Sequence, residues 1–552
     1  MSSRGWSAVS LAPLVVVLAI AHGRLWSQAL SSAAAAPFQI RQVAYIKASN
    51  PQQGAHFGCG GAPTGHQGNS LAISSDGSTM AVGAPGENSA AKGINGNQND
   101  ESLYGAGAVY VFTRRDDGWV QQAYIKASNP QQSALFGSVV ALSADGNTLA
   151  VSAYYESGGA KGINSNQNDT SIPQAGAAYI FTRTGATWSQ QAYIKASNTG
   201  RAAASNNPGD FGDGDLFGFS LALSADGNTL AAGAIAEDSR ASGINNLAFQ
   251  NDDTAASSGA AYVFTRTGTN WTQQAYIKAS NADAGDLFGY SVGLSGDGHT
   301  LAVGTYDEDG SGRTVNPIPD NLRNGNGAIY VFERTGDAWR QTTYLKGSRS
   351  EINDAMGVSL VMSEDGSTIA AGTGDENCLI PGVNPVGCEV SRELPPNAPV
   401  PGAASGAAYV WARTGNTWVE QAFLKSSNPA EGELFGIRLA LSADGNTLAV
   451  SAPNEGSSRQ GINDDQSDKS AEESGAVYFF TRSGATWIQR AYVKASNAHE
   501  FYEFGSSVAL SRDGKVMAVG SRGEASAARG VNGNQDDNSA PEAGAAYVFS
   551  IN

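Results

Sequence analysis

Carboxylate and amide side chains recur in one fixed register along this 552-residue chain. A glutamate is followed eight residues later by an asparagine, and this spacing occurs seven times. The glutamates are Glu87, Glu156, Glu237, Glu308, Glu376, Glu455 and Glu524, and the asparagines are Asn95, Asn164, Asn245, Asn316, Asn384, Asn463 and Asn532. Such oxygens coordinate hard cations, so one interpretation is a ring of side chains that binds Ca²⁺ or another ligand. The alternative is that each pair satisfies backbone groups of its own loop.

Three aspartates form a second candidate site. Asp210, Asp213 and Asp215 cluster in a glycine-rich stretch, residues 199–215. Their carboxylates could hold Ca²⁺, since this cation prefers oxygen ligands. The alternative is a solvated loop without a metal.

One motif typical of hydrolases occurs in the chain. Residues 289–293 read Gly-Tyr-Ser-Val-Gly and match the Gly-x-Ser-x-Gly pattern of a nucleophile elbow. That elbow requires a strand, a sharp turn and a helix. The chain, however, contains seven similar repeats. Residues 289–293 align with the predicted first strand of another repeat, residues 218–222. We therefore predict no catalytic residue and no enzymatic activity.

The repeats that carry these residues predict small antiparallel sheets. In the second repeat, residues 139–143 and 148–153 flank an Asp-Gly hairpin turn, and two further strands follow a long polar loop. Seven such copies predict an all-β closed seven-bladed β-propeller, with four antiparallel strands per blade. The last copy lacks its fourth strand, and an unpaired strand, residues 41–48, precedes the first copy. We therefore expect the N-terminal strand to complete the last blade, which removes two exposed edges.

A lysine also recurs in the fourth strand. The positions are Lys47, Lys126, Lys195, Lys278, Lys346, Lys425 and Lys494. Antiparallel order places the loops between strands two and three, and between strands four and one, on one face, which we call the long-loop face. The lysines should lie near that face, where we expect them to pair with loop carboxylates.

The sequence resembles the FG-GAP repeat of integrin α-subunit propellers and of many secreted microbial proteins. The matching residues are Phe136-Gly137 together with Gly83-Ala84-Pro85 and Ser451-Ala452-Pro453, whereas the fifth copy departs with Met356-Gly357. The resemblance implies a seven-bladed propeller, placement outside the cell, and adhesion or ligand binding. The Ca²⁺ loop of integrin blades does not carry over, because residues 143–146 read only Ser-Ala-Asp-Gly. No cofactor is therefore assigned, and the long-loop face is where Ca²⁺ could bind.

The N-terminal segment reads as an export signal. Arg4 precedes an apolar stretch, residues 8–21, and small residues follow at 29–36. We assign residues 1–36 to a signal peptide and short leader, and residues 37–552 to the propeller. The stretch is shorter than a membrane span, so we expect no membrane insertion. The protein should be secreted, extracellular or periplasmic, or held at the cell surface.

Export places the three cysteines in an oxidising compartment. Cys378 and Cys388 fall in one loop and are the candidate disulfide. Cys59 is then the unpaired third cysteine.

The formal net charge of −17 argues against nucleic acid as a partner. We expect a monomer that binds a protein or glycan on its long-loop face, because loops on a rigid scaffold commonly carry binding sites. Two alternatives are an extracellular carbohydrate-active enzyme, a polysaccharide lyase or hydrolase on the same scaffold, and a structural envelope component.

Overall fold

Each repeat forms one four-stranded antiparallel sheet, as predicted. The structure is a computed structural model that describes residues 38–60, 68–200, 214–322, 325–388 and 402–552. The predicted leader, residues 1–36, lies outside these residues. The seven sheets are the blades of a propeller ring, and we number them in chain order.

The first three blades follow the N-terminal strand. The strands are β1 (Ile40–Ile46); β2 (Leu71–Ile73), β3 (Thr79–Ala84), β4 (Ala108–Arg115) and β5 (Gly118–Ile125) in blade one; β6 (Val140–Leu142), β7 (Thr148–Ala153), β8 (Ala177–Thr184) and β9 (Thr187–Ile194) in blade two; and β10 (Leu221–Leu223), β11 (Thr229–Ala234), β12 (Ala260–Thr267) and β13 (Asn270–Ile277) in blade three.

The remaining four blades repeat the arrangement. They contain β14 (Phe288–Leu294), β15 (Thr300–Thr305), β16 (Ala328–Thr335) and β17 (Ala338–Leu345) in blade four; β18 (Met356–Met362), β19 (Thr368–Thr373), β20 (Ala407–Thr414) and β21 (Thr417–Leu424) in blade five; β22 (Leu439–Leu441), β23 (Thr447–Ala452), β24 (Ala476–Ser483) and β25 (Thr486–Val493) in blade six; and β26 (Phe504–Leu510), β27 (Val516–Ser521) and β28 (Ala545–Ile551) in blade seven.

The N-terminal strand closes the ring. β1 pairs antiparallel with β28, with Ile40 opposite Ile551 and Tyr45 opposite Tyr547. Blade seven is therefore completed by the start of the chain, as predicted, and both otherwise unpaired edges are satisfied.

The Ser-x-Asp-Gly turns are closed by their own side chains. In blade one, Ser74 Oγ donates to Asp76 Oδ1 at 2.6 Å and accepts the Thr79 N–H at 2.9 Å. The equivalent Ser143 accepts the Thr148 N–H at 2.9 Å. It therefore belongs to the turn, so β6 is shorter than the predicted strand at residues 139–143.

The Phe-Gly pair of blade two lies at the contact with the preceding blade. Phe136 packs edge-on against Tyr179 and Phe181, with ring centroids 5.3 and 6.1 Å apart. Gly137 has φ +96°, and a Cβ there would lie 2.4 Å from the carbonyl oxygen of Ala108 in the previous blade. Only glycine fits this contact. The hydrophobic core accordingly lies between neighbouring blades.

Candidate functional site

The seven recurring glutamates are buried against the recurring lysines. In every blade the lysine Nζ lies 2.5 to 2.9 Å from a glutamate oxygen, and no glutamate side chain is more than 9% exposed. The predicted pairing of lysine with a loop carboxylate is thus present in all seven blades.

Blade one illustrates the contacts of these glutamates. Glu87 Oε2 accepts from Lys126 at 2.6 Å and from the Ser89 N–H at 3.1 Å. Its Oε1 accepts from Tyr124 Oη at 2.9 Å and from Asn50 Nδ2 at 3.2 Å. Asn50 follows β1 of blade seven, so the carboxylate also joins two neighbouring blades. Burial lowers the pKa of Lys126, and the Glu87 carboxylate opposes this shift.

The recurring asparagines join the long loop to the fourth strand by hydrogen bonds. Asn95 has φ +54°, donates its N–H to the Tyr124 carbonyl at 2.7 Å, and accepts the Tyr124 N–H on Oδ1 at 2.9 Å. Asn164 does the same with Tyr193. Asparagine tolerates this left-handed backbone better than most residues. The geometry therefore agrees with the alternative interpretation, in which the Glu and Asn register supports the blades themselves.

Blade five departs from this network. Arg349 stands where the other junctions have the linking asparagine, and Phe423 replaces the tyrosine that contacts the glutamate. The Arg349 guanidinium lies 4.6 Å from the centre of the Phe423 ring and donates to the Pro385 carbonyl at 2.9 Å. A disulfide joins Cys378 and Cys388 in the same loop, with Cα atoms 5.4 Å apart. A comparison of the repeats signals this exception.

Four buried acids were missed as a group by the sequence reasoning. They occupy the position two residues before the Phe-Gly pair, which is Met356-Gly357 in blade five, in blades three to six: Asp215, Asp286, Asp354 and Glu433. Each accepts a backbone N–H of its own loop, at 2.6 to 3.0 Å. Burial raises the pKa of Asp286 to about 8. In blade six, Lys469 bridges Glu433 and Glu455 at 2.5 and 3.1 Å. A comparison of the seven repeats at this position would have revealed them.

The described residues include only one member of the predicted aspartate cation site. Asp210 and Asp213 lie outside the described residues, and Asp215 is buried, with its Oδ2 accepting the Gly200 N–H at 2.8 Å. Among the described residues, no group of three or more His, Cys, Asp or Glu side chains could hold a metal ion. Ca²⁺ binding by this segment stays a prediction.

A row of aromatic side chains crosses neighbouring blades. Tyr154, Phe219, Tyr290 and Tyr306 form a chain of contacts, with successive centroids 5.6, 5.0 and 4.8 Å apart. Val358 and Ile437 belong to the same buried cluster.

Two arginines and the free cysteine lie close to one another. Arg522 pairs with Glu503 at 3.1 Å, and Arg438 is 8% exposed. Cys59 is buried, and burial raises its thiol pKa to about 11, so the thiol is protonated at neutral pH.

One known repeat family matches three stretches of the chain, and solved structures match it at low identity. The FG-GAP repeat family matches residues 119–181, 271–332 and 487–549. No curated protein matches the sequence. Hydrazine synthase of Kuenenia stuttgartiensis is 13% identical, with a TM-score of 0.43 over 86% of this chain and 94% of that chain. A candidate 6-phosphogluconolactonase of Bacteroides uniformis is 9% identical, with a TM-score of 0.41 over 77% and 85%.

The described residues contain no helix long and apolar enough to cross a membrane. The chain carries FG-GAP repeats in three places and folds as a seven-bladed β-propeller.

Proposed function

We propose that this propeller binds a protein partner through the long loops of blades three to five. The supporting observation is where the described residues expose large apolar side chains. Most of these side chains lie in the long loops. Eight of them form what we call the apolar sector: Leu247, Phe249, Ile318, Leu322, Ile352, Leu379, Ile380 and Val386. Single exposed apolar residues are ordinary, but concentration on adjacent blades is typical of an interaction surface.

Several of these side chains stand on loops that are already held in place. Arg240 packs 4.8 Å from the centre of the Phe249 ring and pairs with Asp252 at 2.7 Å. The disulfide constrains the loop that carries Leu379, Ile380 and Val386. Ordered loops lose less conformational entropy on association, so these contacts support binding over a passive surface.

The burial of the recurring charged side chains favours binding over catalysis. The recurring carboxylates and lysines are buried and used between or within blades, so they would not meet a substrate. The negative net charge disfavours nucleic acid. With the export signal predicted in the leader, we propose a secreted or surface-held binding protein. A glycan ligand, a carbohydrate-active enzyme and an envelope component are the competing proposals.

Panning the mature protein against a random-peptide display library tests this proposal. We expect enriched peptides whose affinity falls at least tenfold in the double variant I318D/V386D, which places charges in the apolar sector. The matched control V419D/I488D makes the same change at side chains that are 51% and 47% exposed on outer strands, and it should bind normally.

Two results would count against the proposal. No enrichment would do so, as would peptides that bind both variants equally. A glycan array is run in parallel. If a glycan binds wild type and loses affinity in I318D/V386D, the partner is a glycan and not a protein.

A further inference from the structure

A cavity of about 330 Å³ lies on the propeller axis, lined by first-strand residues of all seven blades. Its wall is mainly apolar, with Leu71, Val140, Leu221, Val292, Leu360 and Leu439 among the lining residues. This volume falls in the range of small-molecule sites. Sites of this kind combine apolar walls with a few placed polar groups.

One charged side chain contributes to the cavity wall. Arg438 lies two residues after the glycine of the Phe-Gly pair, where four sister blades have a serine: Ser220, Ser291, Ser359 and Ser507. Those serine hydroxyls donate to a glycine carbonyl of the next blade at 2.6 to 2.7 Å. A hydroxyl is thus sufficient for the blade contact, and the guanidinium at this position needs another explanation.

Within the described part of the chain, the buried Arg438 guanidinium donates to backbone carbonyls. Its Nε donates to the Ser506 carbonyl at 3.2 Å and its Nη1 to its neighbour Ile437 at 2.8 Å. Among the described residues no carboxylate forms an ion pair with it. The nearby Glu503 already pairs with Arg522 at 3.1 Å. A buried cation without an anionic partner is costly, so the site favours an incoming negative charge.

We propose that the axial cavity binds a small apolar monocarboxylate whose carboxylate pairs with Arg438. Guanidinium matches carboxylate in planar geometry, and the apolar wall would cover the rest of the ligand. The opposite mouth of the axis is lined by Asp297, Asp365, Asp444 and Asp513 and by the Arg512–Glu364 ion pair, so its net negative charge disfavours an anion. The ligand therefore enters from the long-loop face. This site is independent of the proposed apolar sector.

Titration of the mature protein with decanoate, followed by calorimetry, tests the proposal. We expect saturable binding of one decanoate per chain. The variant R438S installs the residue of four sister blades and should weaken binding at least tenfold. The variant R438K keeps the positive charge without the planar guanidinium, so its affinity for decanoate should lie between those of wild type and R438S. R459Q removes an arginine that is 52% exposed and should leave affinity unchanged.

Decanol and decylamine are the matched probes, because they share the apolar tail without the negative charge. Both should bind at least tenfold more weakly than decanoate. The proposal is overturned if decanoate does not saturate, if R438S binds like the wild type, or if decanol binds as tightly as decanoate. Thermal melts of each variant without ligand confirm that the loss of binding is not a loss of folding.

Discussion

Replacing Glu87 with glutamine should destabilise the protein far more than the small change in side-chain shape suggests. Glutamine keeps the shape of the side chain but removes the charge that faces Lys126 at 2.6 Å, where neither side chain is exposed. Removing one partner of a buried ion pair typically costs about 3–5 kcal/mol, because the other charge stays buried. We expect a loss of that size in the free energy of unfolding.

The pH dependence of E87Q gives a second signature. Burial lowers the pKa of Lys126, and the Glu87 carboxylate raises it again, so E87Q should lower that pKa further. The unfolded chain then binds a proton that the folded chain rejects. The stability of E87Q should therefore rise with pH towards about 10, the pKa of an unfolded lysine, relative to wild type.

Urea unfolding followed by tryptophan fluorescence measures both effects. The double variant E87Q/K126M removes both charges and should recover to within about 1 kcal/mol of wild type. The control K515M breaks an exposed pair with Asp513, whose atoms are 3.9 Å apart, and should cost at most about 0.5 kcal/mol. A loss below about 1 kcal/mol for E87Q, with no rise towards alkaline pH, would refute the reasoning.

Three further predictions concern other parts of the fold. D286N should gain at least about 1 kcal/mol of stability on wild type as the pH rises from about 5 to about 8. Burial raises the pKa of Asp286 to about 8, above its usual value of about 4, so wild type loses stability over this range and the amide does not. Parallel melting profiles of the two proteins would contradict this. N95A should cost about 1–2 kcal/mol in urea unfolding, because it loses the Tyr124 bond and places alanine at φ +54°, and N95G should recover part of the loss. A chain that begins at Ser49 lacks β1 and should aggregate on size exclusion, whereas a monomer with wild-type melting would show that closure is dispensable.

The blade architecture could be read from the sequence because it rests on local signals. The Ser-x-Asp-Gly turns close through bonds within a few residues, as Ser74 does with Asp76 and Thr79. Seven such turns, seven Phe-Gly-like pairs and an unpaired strand at the N-terminus suffice to predict blade number and closure. The Lys and Glu pairing was also predictable, since both residues recur at one end of their strands.

The sequence alone did not determine which polar groups would be buried and shared between blades. Asn50 meets Glu87 across a blade junction, and Arg438 reaches the axis only because seven first strands converge there. The acid before the Phe-Gly pair looks like an ordinary loop residue until neighbouring loops cover Asp286 and raise its pKa. Hydrogen bonds within a turn depend on the nearest residues, so the sequence specifies them directly. Burial and charge balance depend on chain segments that are distant in sequence, so only the closed ring decided them.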